Sequence, residues 1–115
     1  MSAREQQTEP VDRRLLAETT ALLHRIGRWT VDSWHVEVNG RVRSETVFAL
    51  VQRLADVAAD AEHQPRRIVP RLDDPMLVDQ LNVMVHDVLN TGSVPAWDAA
   101  RAAVARTHTD LFDRP

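Results

Sequence analysis

The chain contains no cysteine, no lysine and no tyrosine. Without cysteine there is no disulfide, no thiolate metal site and no thiol nucleophile. Without lysine, all 14 basic residues are arginines, which are planar and permanently charged donors. Glycine occurs three times, too rarely and too scattered for a phosphate-cradling loop. Aromatic residues make up 4%, so the core implied by 43% hydrophobic residues has to be built from Leu, Val and Ala. No window approaches the roughly 20 apolar residues of a membrane span, and the N-terminal region has no uninterrupted apolar stretch of signal-peptide type. A formal charge of −3 argues against a general nucleic-acid binder. The expectation is a cytoplasmic protein with neither nucleic acid nor membrane as partner. Its 115 residues suit one domain.

What is present has a clear order. Residues 1–11 read as a disordered polar tail, followed by a single domain over 12–115. In "PVDRRLLAETTALLHRIGRW", Leu15, Leu16, Leu22, Leu23 and Ile26 fall near one side of a helix that stops at Gly27. His24 lies at the edge of that face and reads as half-buried packing. "WTVDSWHVEVNGRVRS" then alternates, and Asn39-Gly40 is the strongest short hairpin signal in the chain. Two strands are expected, over 34–38 and 41–43. Ser44 is a good N-cap for a helix in which Val47, Phe48, Leu50, Val51, Leu54, Ala55 and Ala58 recur at helical spacing. That helix must end before Pro65. A final helix is expected across "SVPAWDAARAAVARTHTDLF".

The segment "MLVDQLNVMVHDVLNTG" supports two readings. As a helix, it has Asp74 as cap, Pro75 in the first turn, and Leu77, Leu81, Val85, Val88 and Leu89 on one face. As a strand, it has Leu81, Val83 and Val85 on one side with Asn82, Met84 and His86 on the other. Periodicity alone does not choose. Propensity leans helical, which would make the chain a four-helix bundle.

Few residues carry an obvious chemistry. Asp60-x-x-His63 has the form of a carboxylate-x-x-His step, but a di-iron bundle needs that step twice, so no metal is expected. His35 and His108 read as surface polar residues. No serine sits in a nucleophile-elbow sequence. What remains is His63, followed by Gln64-Pro65, and His86, followed by Asp87.

Here the order of features resembles a known family. "RLADVAADAEHQP", then a segment ending in "VHD", then "TGSVPAWDAARAAV", is similar to the pterin-4a-carbinolamine dehydratases. The leading helix, Trp29, the hairpin and Phe48 also come in that family's order, so the resemblance spans roughly 12–108. It implies an α+β fold, an antiparallel sheet with three helices packed on one face, and it favours the strand reading of the ambiguous segment. The implied activity is dehydration of a 4a-hydroxytetrahydropterin to the quinonoid dihydropterin, without cofactor. His63 and His86 match the catalytic histidines, whose pKa near neutrality suits an acid/base pair. Gln64, Pro65, Asp87 and Asp98 would contact the substrate. The resemblance further implies a homodimer or a dimer of dimers.

Four departures accompany the match, one of them a loop from His86 to Asp98 lengthened by Val94-Pro95. Gln64 stands where the family has a second histidine, and it cannot exchange a proton near neutrality. Ile68 and Val69 occupy the region of an expected aromatic. Extra residues, among them Arg66, Arg67, Arg71, Asp73 and Asp74, lengthen the segment after Pro65. The alternative function is therefore a noncatalytic binding or assembly module, with a protein partner at the Arg66–Asp74 loop. Its arginines would grip acidic groups through bidentate contacts.

Overall fold

The computed structural model describes residues 10–112. Helix α1 covers Val11–Ile26, followed by a single turn, α2, at Val31–Trp34. A hairpin of two-residue strands, β1 (Glu37–Val38) and β2 (Arg41–Val42), leads into α3 (Arg43–Ala61). Helices α4 (Met76–Asn90) and α5 (Val94–Phe112) complete the described residues. Residues 1–9, and with them most of the expected tail, lie outside the described residues.

The long helices form a bundle because each carries one apolar stripe at 3.6-residue spacing. Leu15, Thr19, Leu22 and Ile26 are the buried positions of α1, and Val47, Leu50, Val51, Leu54, Val57 and Ala58 serve α3. Leu77, Leu81, Val85 and Val88 line α4, and Ala96, Ala100, Val104, Thr107 and Leu111 line α5. Helix α1 packs on α5 and α4, and α3 packs on α4 and α5, which closes the ring of four. The core is aliphatic, as the composition requires, with Trp34 its one fully buried aromatic residue. Among the described residues, no helix is long and apolar enough to cross a membrane.

Helix ends follow from local chemistry. A Cβ on Gly27 would lie 2.9 Å from the Leu23 carbonyl oxygen, so the close turn that ends α1 needs glycine. Ser93 Oγ accepts the Ala96 N–H at 3.2 Å and so caps α5. The Trp97 indole N–H donates to the Val88 and Leu89 carbonyls, both at 3.2 Å, satisfying groups left open at the end of α4. At the far end of α5, Trp29 meets Trp34 edge-on at 4.8 Å and Phe112 at 5.7 Å. The Arg25 guanidinium covers Phe112 at 3.7 Å.

The expected α+β architecture is thus corrected to a four-helix bundle carrying a small hairpin. Segment 76–90 is a helix, and residues 34–38 do not form one strand, because Trp34 ends α2 and only Glu37 and Val38 pair. The reason is the absence of a ladder to join. Each hairpin strand offers two residues, so a third strand would leave its backbone N–H and C=O groups unpaired against helices. As a helix, α4 satisfies them internally and places Leu81 and Val85 at 0% exposure while Val83 stays 53% exposed. The Asn39-Gly40 turn itself forms as expected, with φ of 53° and 83°, the positive pair that a two-residue hairpin requires. Two caps differ from expectation. Helix α3 starts at Arg43, with Ser44 buried in its first turn, and Asp74 makes no capping bond to α4.

Candidate functional site

The segment between α3 and α4, residues 62–75, carries most of the polar residues singled out in the sequence. It begins where α3 ends. His63 has φ of 55°, the left-handed conformation in which helices are terminated. Its N–H donates to the Asp60 carbonyl at 3.2 Å, and the Gln64 N–H donates to the Ala59 carbonyl at 2.8 Å. This paired closure is the Schellman arrangement, usually built on glycine. Histidine at this position costs conformational energy, so His63→Gly is expected to raise stability by about 0.5–1 kcal/mol. Urea unfolding checks the sign. A loss of stability would mean that the imidazole makes a contact worth more than the backbone strain.

After Pro65 the chain crosses the α3–α4 surface as a fastened strap. Gln52, between two and three turns before the end of α3, donates from Nε2 to the Arg67 carbonyl at 2.8 Å and accepts the Val69 N–H at 2.9 Å. Its amide stands in for one residue of a neighbouring strand. Gln80 of α4 donates to the Pro70 carbonyl at 3.0 Å. Val69 is drawn into the core at 7% exposure, while Ile68 is left 91% exposed.

Charges tie down the rest. Arg66 forms a two-pronged contact with Asp60, at 3.0 and 2.7 Å, and approaches Asp56 at 3.9 Å. The hydrogen bond from Arg66 holds the Asp60 carboxyl below its ordinary value, and the same bond raises the guanidinium of Arg66. Arg71 bonds the Leu72 carbonyl and Asp74 Oδ1, the latter at 2.6 Å. His35 Nε2 lies 2.9 Å from Asp74 Oδ2. Of the expected acid-gripping arginines of this loop, Arg66 and Arg71 already hold carboxylates of the same chain.

Beneath the strap lies a cleft of about 460 Å³, floored by Ala55, Ala59 and Met84 and rimmed by Glu62, Gln64, Arg67 and Asp87. Pro65 belongs to its wall. Three of the four expected substrate contacts thus come together, the adjacent Gln64 and Pro65 meeting the sequence-distant Asp87. The fourth, Asp98, does not join them. It sits on α5 with its side chain 66% exposed, 3.7 Å from Arg101 Nε. Neither His63 nor His86 is among the residues lining the cleft. His86 is exposed on α4, and its Nδ1 lies 2.9 Å from the Asn82 carbonyl, which fixes the proton on that nitrogen and leaves Nε2 free.

The remaining histidines have structural surroundings. His24 is exposed, not half-buried. His108 stacks on Phe112 at 5.1 Å, with Arg25 Nη1 3.4 Å from its Nε2. Among the described residues, no group of three or more His, Asp or Glu side chains converges to hold a metal ion. Gln52, Gln80 and Asp56 are the site residues that sequence reasoning missed. Compared with protein-family models, curated proteins and solved structures, the chain matches none.

Proposed function

We propose that this chain is a noncatalytic protein-binding domain that presents the 64–75 strap to its partner. The observation that carries this reading is Ile68, a branched apolar side chain 91% exposed on a backbone gripped at Arg67 and Val69 by one glutamine. A pre-shaped segment loses little conformational freedom on binding, which favours affinity. The contact is apolar at its centre, with Leu72 and Met76 also exposed nearby in sequence. Arg66 and Arg71 support the strap's shape and do not supply the grip.

A photo-crosslinking residue at position 68, introduced in the native host, tests the reading. The expected result is one dominant adduct. The purified pair should then associate, and Ile68→Ser should weaken that association at least about tenfold, a change of 1.4 kcal/mol. Absence of an adduct, or an affinity indifferent to Ile68→Ser, removes the proposal. Light scattering on the adduct tells whether the partner is a second copy of the chain.

The dehydratase reading is favoured by a different observation, the meeting of Gln64, Pro65 and Asp87 around a cleft large enough for a bicyclic ligand. Because His86 does not line the cleft, that reaction would require its side chain to turn toward Asp87 before Nε2 could transfer a proton. The ultraviolet decay of a 4a-hydroxytetrahydropterin generated in situ separates the two readings. Acceleration by wild type that is lost in His86→Ala supports the enzyme, and an uncatalysed rate leaves the binding domain.

A further inference from the structure

A second surface, sharing no residue with the strap or its cleft, runs between α3 and α5. Thr46, Ala49, Leu50 and Arg53 on α3 face Ala99, Ala102, Ala103 and Arg106 on α5 across a trough of about 430 Å³. Both sets follow the same i, i+3, i+4, i+7 spacing, so each is one continuous helical stripe. The two helices run antiparallel, since Val57 and Ala61 near the end of α3 share a hollow with Ser93, Pro95 and Ala96 at the start of α5. Arg53 therefore marks one end of the trough, and Arg106 the other, where Arg41 also lines it.

The charge of this trough runs against that of the molecule. The whole chain carries −3, yet the trough lining has three arginines and a single carboxylate, Asp110. Among the described residues, Arg66, Arg71 and Arg101 are in ion pairs with carboxylates, whereas Arg41, Arg53 and Arg106 are not. Between the cationic ends, the floor consists mainly of alanines. Such side chains let a third helix approach to about 8 Å between axes. The lining of α5 from Ala99 to Asp110 matches about three helical turns, roughly 16 Å.

We propose that the α3–α5 trough docks an acidic amphipathic helix of a partner protein. Small apolar residues of that helix would rest on Ala49, Ala102 and Ala103. Carboxylates about two turns apart would meet Arg53 at one end and Arg41 and Arg106 at the other, in the planar geometry that arginine offers. The inference is independent of what the strap binds and holds equally for a catalytic domain.

The test is a selection of random peptides against the full chain. The expected winners are helix-compatible, acidic, and carry small residues at i, i+3 or i+4 spacing. Their synthetic forms should shift the amide resonances of Ala49, Ala102 and Ala103 and bind more weakly as salt is raised. The double variant Arg53→Glu/Arg106→Glu, altered only at exposed positions, should keep its circular dichroism and lose at least about tenfold in affinity. Peptides with arginine in place of their acidic residues should regain binding to that variant. The proposal fails if no peptide is enriched or if the winners lack acidic residues. It also fails if a scrambled acidic peptide binds equally well, or if the double variant binds unchanged.

Discussion

Replacing Leu81 by alanine is expected to cost about 3 kcal/mol, while Val83→Gln two residues away changes stability by less than about 0.5 kcal/mol. Leu81 is fully buried between α4 and its neighbours, and its removal leaves a cavity that close-packed surroundings fill poorly. Val83 lies on the opposite side of the same helix, 53% exposed, where glutamine is an equal or better helix former. Urea denaturation of the pair checks both values. The comparison is diagnostic because a strand would place both side chains on one buried face, and both substitutions would then be severe. Equal, large losses would overturn the helical assignment of 76–90.

The second large effect concerns the strap. Gln52→Leu preserves approximate volume and removes three hydrogen bonds, to the Arg67 carbonyl, the Val69 N–H and Asp56 Oδ1. The Val69 N–H belongs to a buried residue, so its loss of a partner costs about 2 kcal/mol. Much of this cost should appear as local release. Hydrogen exchange of the Val69 amide should accelerate roughly 30-fold, with slow exchange retained at Leu54 and Leu81. A Val69 amide that exchanges as in wild type would show that the strap is held by Arg66 and Arg71 instead. Under the proposed binding role, a partner held by the strap would lose affinity for this variant in step with Ile68→Ser.

Much of the bundle was legible in the sequence. The faces of α1, α3 and α5 could be traced from their apolar spacing, and Asn39-Gly40 announced its turn. Segment 76–90 carries two patterns at once. Leu77, Leu81, Val85 and Val88 described a helix, yet an ordered resemblance of short motifs outweighed that spacing and drew in a sheet. The deciding fact was non-local, because a two-residue hairpin has no edge long enough to receive another strand. Within the site, Gln64, Pro65 and Asp87 could be named because they flank histidines that the resemblance matched. Gln52 could not. A glutamine on a helix reads as a solvated residue, and its partners lie 15 and 17 positions further along the chain. The arginines after Pro65 looked available for the same reason. Their carboxylate partners Asp60 and Asp74 are close in sequence, but only the folded path of the strap turns them face to face.

The placement of the three tryptophans gives the molecule two separate optical reporters. Trp29 and Trp34 touch at right angles at one end of α5, close enough for their electronic transitions to couple. Trp97 stands alone about 22 Å away along the same helix, its indole N–H fixed to the end of α4. The coupled ellipticity of that pair therefore follows the Trp29–Trp34 end. In a variant carrying phenylalanine at positions 29 and 34, emission follows the Trp97 end alone. Whether the two ends of the bundle open together can be read from light, without a label.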